Sequence, residues 1–282
     1  MAMKVVKSAK QLTDAVMHLK KQGKRVGFVP TMGYLHEGHI SLVRRARKEC
    51  DIVVVSIYVN PLQFGPKEDL KRYPRNLKRD SAMLRKVKTD FLFVPDENEI
   101  YPKGFNEFIA PGPLAHHLCG LKRPGHFRGV VTVVNRLFKI VQPDLAYFGQ
   151  KDFQQVRVIQ EMVRKVKSQV KIVVCPIVRE PDGLAMSSRN SYLTKNERVL
   201  ARSINQSLAR AHKLVRAGER NAGLIKREMR KALLGRVSKI DYIEIVSAKN
   251  LRPVKQIKPG ALIAIACFVG RTRLIDNLFV SR

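Results

Sequence analysis

The chain has 282 residues, enough to bury one large core and a smaller second one, and 45% of them are apolar, which excludes a disordered tail or a low-complexity protein. Its 54 Lys and Arg outnumber its 23 Asp and Glu, giving a formal net charge of +31 and favouring polyanionic ligands such as nucleotides. The basic residues are spread over many segments rather than gathered in one arm, so charge alone does not make this a nucleic-acid-binding protein.

The opening Met1-Ala-Met-Lys-Val-Val-Lys lacks the apolar stretch of a secretory leader, and a cytoplasmic location is expected. Residues 8–22 read as an amphipathic helix with Leu12, Ala15, Val16 and Leu19 on one face. Arg25–Val29 reads as a buried strand. It leads into Pro30-Thr-Met-Gly-Tyr-Leu-His-Glu-Gly-His39 and a helix to about Lys48, in which Ile40, Val43 and Ala46 recur at helical spacing. A strand, a Gly-containing turn and a helix in that order converge backbone N–H groups on an anion. His36 and His39 flank the turn, can donate to phosphate oxygens as charge builds on them, and have Gly38 between them for close backbone approach.

Asp51–Val59 is an almost unbroken β-branched run, the profile of a parallel strand buried on both faces. Two such strands joined by one helix make a right-handed βαβ unit, whose ligand sits at the carboxyl ends of the strands. Asn60 and Gln63 emerge there, neutral amides able to fix the hydroxyl and carboxylate oxygens of a small substrate. Lys67–Asp80 reads as a charged loop before a helix through Val87, and Phe91–Val94 as a short strand.

Arg123-Pro-Gly-His-Phe-Arg-Gly129 precedes a predicted helix Val130–Val141, placing Arg123, His126 and Arg128 near another helix start. His116-His117 has no third ligand at metal spacing and reads as surface loop. Leu145–Phe148 is the next strand, opening into Gly149-Gln-Lys-Asp-Phe-Gln-Gln155 and a helix to about Lys165. Lys151 can neutralise a polyphosphate as a point charge; Asp152 can cap the helix or hold a ribose or Mg²⁺; Gln155 faces the same side.

Lys171–Val178 supplies a fifth strand, and Pro181 and Gly183 then break the chain at a domain boundary. Ser187, Ser188 and Arg189 place two hydroxyls and a guanidinium in a loop able to close over a triphosphate. Helices near 195–217 and 221–234 and strands at 241–247 and 261–269 complete a small α+β domain. Ala261–Val269 is too short to span a bilayer, so no membrane partner is expected. The thirteen Lys and Arg between Lys195 and Lys239, against three acidic residues, read as a solvated helical face. Cys50, Cys119, Cys175 and Cys267 are scattered without metal or redox spacing and read as buried, reduced thiols.

The Pro30–His39 stretch resembles the H-x-G-H signature of the nucleotidyltransferase and class I aminoacyl-tRNA synthetase superfamily. With it, V-N-P-L-Q-F, R-P-G-H-F-R-G-V, G-Q-K-D-F-Q-Q and D-G-L-A-M-S-S-R-N, in this order and spanning residues 30 to 190, are similar to the motifs of the pantoate–β-alanine ligase family. The resemblance implies an α/β fold with a Rossmann-like ATP/pantoate domain over residues 1–184 and a C-terminal lid over 185–282. It also implies a homodimer, with ATP as substrate and Mg²⁺ alongside it, and leaves the metal ligands unassigned. Two half-reactions follow: pantoate and ATP give pantoyl adenylate and pyrophosphate, then β-alanine displaces AMP. Adenylation replaces an oxide leaving group with AMP, so the protein has charge to stabilise rather than a covalent nucleophile to supply.

Carried over motif by motif, Met32, Gly33, Tyr34, Leu35, His36, Glu37, Gly38 and His39 contact ATP, as do Gly149, Gln150, Lys151, Asp152, Val178, Met186, Ser187, Ser188 and Arg189. His39 is the proton donor, with His36, Lys151 and Arg189 beside it in the catalytic set. Gln63 and Gln155 bind pantoate, Gln63 also lies near β-alanine, and Asn60 and His126 are added to that group. A different adenylyl or cytidylyl transferase would keep the nucleotide residues without both glutamines, and a nucleic-acid-binding protein is favoured by charge alone.

Overall fold

The structure, a computed structural model, describes residues 2–66 and 68–281, so what was read at Met1 and Lys67 lies outside it. The β-branched runs pair as their composition dictates. β2 (Val26–Thr31) lies parallel to β3 (Ile52–Ile57), with Val26 opposite Ile52 and Thr31 opposite Ile57, and α2 (Glu37–Glu49) joins them. Among the described residues they belong to an all-parallel six-stranded sheet. Its order is β1 (Lys4–Val6), β4 (Phe91–Phe93), β3, β2, β5 (Leu145–Gly149) and β6 (Lys171–Cys175). The order reverses between β2 and β5, and at such a switch point the strand ends open a crevice for ligand.

Alternate residues of β2 face opposite sides. Val29 joins Val43 and Ala46 of α2 and Leu84 of α3 (Leu77–Lys86) in one core. Phe28 meets Phe138 of α6 (His126–Val141) edge-on at 6.3 Å, with α1 (Ala9–Lys21) packed beside α6. α7 (Phe153–Lys165) leads to β6.

Several boundaries differ from those read in the sequence. β1 was not expected. β6 stops at Cys175 because Pro176 has no N–H for the ladder. α3 begins at Leu77, capped by the Asn76 side chain, so Asp80 lies in a helix and not in a loop. α6 begins four residues early because left-handed Gly125 starts it, which places His126 in its first turn. α4 (Glu97–Ile100) and α5 (Leu118–Lys122) are single turns.

The chain divides into two compact units. The first comprises Met1–Ala115, Arg123–Gln150 and Gln155–Pro176, and the second His116–Lys122, Lys151–Gln154 and Ile177–Arg282. In the second, β7 (Lys239–Ser247), β8 (Ala261–Val269) and β9 (Thr272–Val280) form an antiparallel sheet. α8 (Lys195–Arg216) and α9 (Ala222–Leu233) cover one face of it, where Ile204, Ile225, Met229, Ile263 and Ile265 are buried. β9 was missed in the sequence. All four cysteines are buried and free.

Candidate active site

In the first unit the chain leaves β2 through two left-handed residues, Gly33 (φ 83°) and Tyr34 (φ 49°). A Cβ at Gly33 would meet Ile57 Cγ2 at 2.8 Å, so the turn needs glycine there for space as well as for conformation. It is these two residues, and not Gly38, that take the unusual backbone, since Gly38 lies in the first turn of α2. For Tyr34 the left-handed region is costly, and Asp80 compensates. Its carboxylate accepts the N–H of Tyr34 at 2.7 Å and that of Leu35 at 2.8 Å. Burial pushes the Asp80 carboxyl up, while those two N–H groups and the Arg79 guanidinium act in the opposite direction.

Asp80 is the residue that sequence reasoning missed. The available signal was its position four residues before Leu84 on the buried face of α3, where a carboxylate needs a partner.

His36 caps α2, and His39 sits three residues on with the two rings 4.0 Å apart. The backbone N–H of His36 donates to His39 Nδ1 at 3.3 Å. That bond fixes the neutral tautomer with its proton on Nε2, a donor suited to a phosphate oxygen. The two imidazoles thus sit together at the start of α2, while the N–H groups of Gly33, Tyr34, Leu35 and His36 donate to Thr31, Asp80 and His39.

Gln63 stands in a short turn (Pro61–Gln63) after β3, and its amide is held at both ends. Nε2 donates to Met32 Sδ at 2.8 Å, and Oε1 accepts from Asn60 Nδ2 at 3.3 Å. A thioether is a weak acceptor, so a substrate oxygen can take that donor over. Asn60, 1% exposed, also donates to the Gly129 carbonyl and accepts from Leu62 N–H and the Tyr101 hydroxyl. Asn60 is thus bonded on both sides of its amide, and one of those bonds runs to Gln63.

His126 is committed in the same way. Arg123 Nη1 donates to its Nε2 at 3.0 Å, and its Nδ1 donates to the Gln63 carbonyl at 2.8 Å. Arg123 is gripped by Glu68 through two bonds of 2.6 Å. Burial works against the Glu68 charge, but Arg123 outweighs it and holds the carboxyl below its usual range. Glu68, Arg123 and His126 therefore form a chain ending on the Gln63 backbone. Gly129 lets α6 reach this turn, because a Cβ there would run into the Leu62 carbonyl. Arg128 instead lies exposed over the Phe108 ring. Gly149 closes β5, Gln150 follows it, and Gln155 is half-buried early in α7.

In the second unit the Lys151 side chain, 19% exposed, lies 3.9 Å from the Asp152 carboxylate. The Val178 carbonyl accepts Met186 N–H at 3.0 Å, and Ser187 Oγ accepts Arg189 N–H at 3.3 Å, starting the turn Ser188–Tyr192. Hydrogen bonds and ion pairs hold the chain on either side of this segment. Arg179 bridges to Ala185, Arg198 of α8 holds Asp182 at 3.1 Å, and Asn190 donates to the Ala185 carbonyl. Ala185 and Asn190, which flank Ser187–Arg189, are thereby tied to each other.

The description of the family model that matches residues 4–279 is pantoate–β-alanine ligase. A pantothenate synthetase from Pseudothermotoga lettingae is 54% identical over 276 residues, 98% of each chain. Among solved structures, pantothenate synthetase from Thermus thermophilus superposes with a TM-score of 0.94 at 44% identity, over 99% of this chain and 100% of that one. Pantoate–β-alanine ligase from Francisella tularensis, complexed with β-γ ATP and β-alanine, has a TM-score of 0.81 at 37% identity, over 99% of this chain and 98% of that one. The chain therefore belongs to the pantoate–β-alanine ligase family.

Proposed function

We propose that the chain joins pantoate to β-alanine at the expense of ATP, giving pantothenate, AMP and pyrophosphate through a pantoyl-adenylate intermediate. The observation that carries this reading is the contact between Gln63 and Met32, which ties an amide suited to a hydroxy acid to the turn suited to a nucleotide. In the first step a pantoate carboxylate oxygen attacks the α-phosphorus and pyrophosphate leaves. His39 Nε2–H and the N–H groups at the start of α2 face charge growing on phosphate oxygens. In the second step the β-alanine amine attacks the acyl carbon, AMP departs, and the nitrogen sheds a proton.

The remaining roles follow the family motifs. Met32–His39, Gly149–Asp152, Val178 and Met186–Arg189 hold ATP, Lys151 and Arg189 balancing its polyphosphate. Gln63 and Gln155 hold pantoate, and Asn60 and His126, each bonded to Gln63, join them in the pantoate/β-alanine group. Bound with ATP, Mg²⁺ would neutralise charge on the phosphates, and Asp152 would be the carboxylate available to it. Among the described residues no three His, Cys, Asp or Glu cluster as a metal cage. One carboxylate, Asp152, fits an ion held mainly by phosphate oxygens and water. The enzyme works as a cytoplasmic homodimer, with its ATP/pantoate part before residue 185 and its lid after it.

The test is pyrophosphate release measured against a panel of small hydroxy acids, with AMP and amide product followed after β-alanine is added. Release with pantoate, and product only when β-alanine is present, supports the reading. Release with an unrelated carboxylate in preference to pantoate overturns it.

A further inference from the structure

β9 was invisible in the sequence, and its centre is chemically odd. Asp276 and Asn277 are adjacent in mid-strand, 3% and 5% exposed, where β-branched or aromatic residues are usual. Neighbouring residues on a strand point to opposite faces. Asp276 pairs in register with Ile265 and shares the face that α8 and α9 cover. Asn277 pairs with Ala264 and belongs to the other face, with Phe279 two residues on.

Each of the two side chains holds a different segment of the second unit. Asp276 accepts from both terminal nitrogens of Arg179, at 2.7 and 3.1 Å, and Arg179 Nη1 also donates to the Gly183 carbonyl at 3.0 Å. That fixes the start of the loop that carries Met186–Arg189. Asn277 Nδ2 donates to the Lys151 carbonyl at 2.9 Å, and Phe279 stacks on Phe153 with centroids 6.3 Å apart. That fixes the turn carrying Lys151. The Asn277 N–H in turn donates to Asp276 Oδ1 at 2.8 Å, so the two anchors are themselves linked.

We infer that Asp276 and Asn277 are positioning residues for the first half-reaction. One strand, through two successive side chains on its two faces, sets the spacing of Lys151 and the Ser187–Arg189 segment. This rests on the reading above that those two segments hold the polyphosphate. Both β9 side chains bond to protein groups, Asp276 to Arg179 and Asn277 to the Lys151 carbonyl. Their contribution is to keep the ammonium and guanidinium where charge builds on departing pyrophosphate, a demand that is absent once the adenylate has formed.

The experiment measures both half-reactions in single turnovers with the full chain. Asn277→Asp keeps the shape of the side chain and replaces its donor with an acceptor, and Asn277→Ala removes it. Unfolding midpoints show which variants are folded, and Asn277→Asp carries the test if the alanine variant is not. The expected result is pyrophosphate release slowed roughly 10- to 100-fold, the range for one lost buried hydrogen bond, with turnover of preformed pantoyl adenylate within about twofold of the parent. In a Lys151→Ala background Asn277→Asp should add no further loss, because it acts through Lys151. Equal slowing of both half-reactions, or losses that multiply with Lys151→Ala, would mark a merely structural role and overturn the inference. A slow Lys151→Ala beside a fast Asn277→Asp overturns it alone. A normal rate for Lys151→Ala removes the underlying reading, and the inference with it.

Discussion

Asp80 Oδ2 accepts the backbone N–H of Tyr34 at 2.7 Å, although 46 residues separate the two in the chain. The bond holds a tyrosine in a left-handed conformation in the turn between β2 and α2. Asp80→Ala removes this acceptor and the one for Leu35, which serve one half-buried and one buried amide. Adenylate formation should fall at least about tenfold with the ATP KM raised, at a stability loss of roughly 2–4 kcal/mol. Pyrophosphate release and thermal unfolding of the variant check both.

Two carboxylates should show opposite pH behaviour. The folded pKa of Asp80 is raised by burial, so its contribution is complete below about 3.9 and is lost as pH rises through the folded value. Asp80→Asn should therefore gain on the parent from pH 4 to pH 7. Burial also opposes the charge on Glu68, but Arg123 prevails and its folded pKa is lowered. Its contribution is complete above about 4.3 and is lost as pH falls through the folded value. Glu68→Gln should cost about 1–3 kcal/mol at neutral pH, between an exposed and a buried pair, a cost that shrinks as pH falls through the folded value. Denaturant midpoints across pH read both slopes; parallel slopes would contradict the assignments.

His39→Ala should slow adenylate formation by roughly 10²–10⁴-fold, the range for one lost acid or charge-stabilising donor. Circular dichroism should be unchanged, because a histidine in the first turn of α2 contributes little to the core. A parental rate of adenylate formation would remove the H-x-G-H turn from the mechanism.

Gln63→Ala and Gln155→Ala should raise the pantoate KM more than that for ATP. A hydrogen bond to a charged group is worth about 1.5–3 kcal/mol, or roughly 10- to 100-fold. Gln63→Ala should also impair β-alanine use. Titrating each substrate at saturating levels of the others separates these effects, and equal losses for ATP and pantoate would count against the assignment.

Arg189→Ala should cripple pyrophosphate release far more than turnover of preformed pantoyl adenylate, because only the first step expels a polyphosphate. Strong impairment of the second step would instead make Arg189 a ligand of the adenylate itself.

The parts of the fold that were legible are those where one physical demand dominates a stretch. Asp51–Val59 could hardly be anything but a doubly buried parallel strand, and Pro30–His39 announced its turn through glycine and histidine spacing. β9 was hidden because Asp276 and Asn277 are turn formers by composition. They tolerate a strand only because Arg179 and the Lys151 carbonyl meet them, and those partners are far away in sequence. β1, with three residues, is too short to show a period. Asn60 and His126 were recognised as belonging near Gln63, but a sequence does not show that their polar atoms are already occupied by Tyr101, Gly129 and Arg123.

The interleaving of the two units limits how the gene can be cut. His116–Lys122 and Lys151–Gln154 lie well before residue 184, yet they fold with the C-terminal strands: Cys119 Sγ lies 3.2 Å from the Tyr242 hydroxyl, and Lys151 hangs from Asn277. A fragment ending after residue 184 would strip both insertions of their support and expose Phe153 where Phe279 had stacked. The C-terminal remainder would lose the cover on one face of its sheet. Exchange of lids between relatives would succeed only if those two short insertions travelled with the C-terminal segment, so recombination has three stretches to move together rather than one.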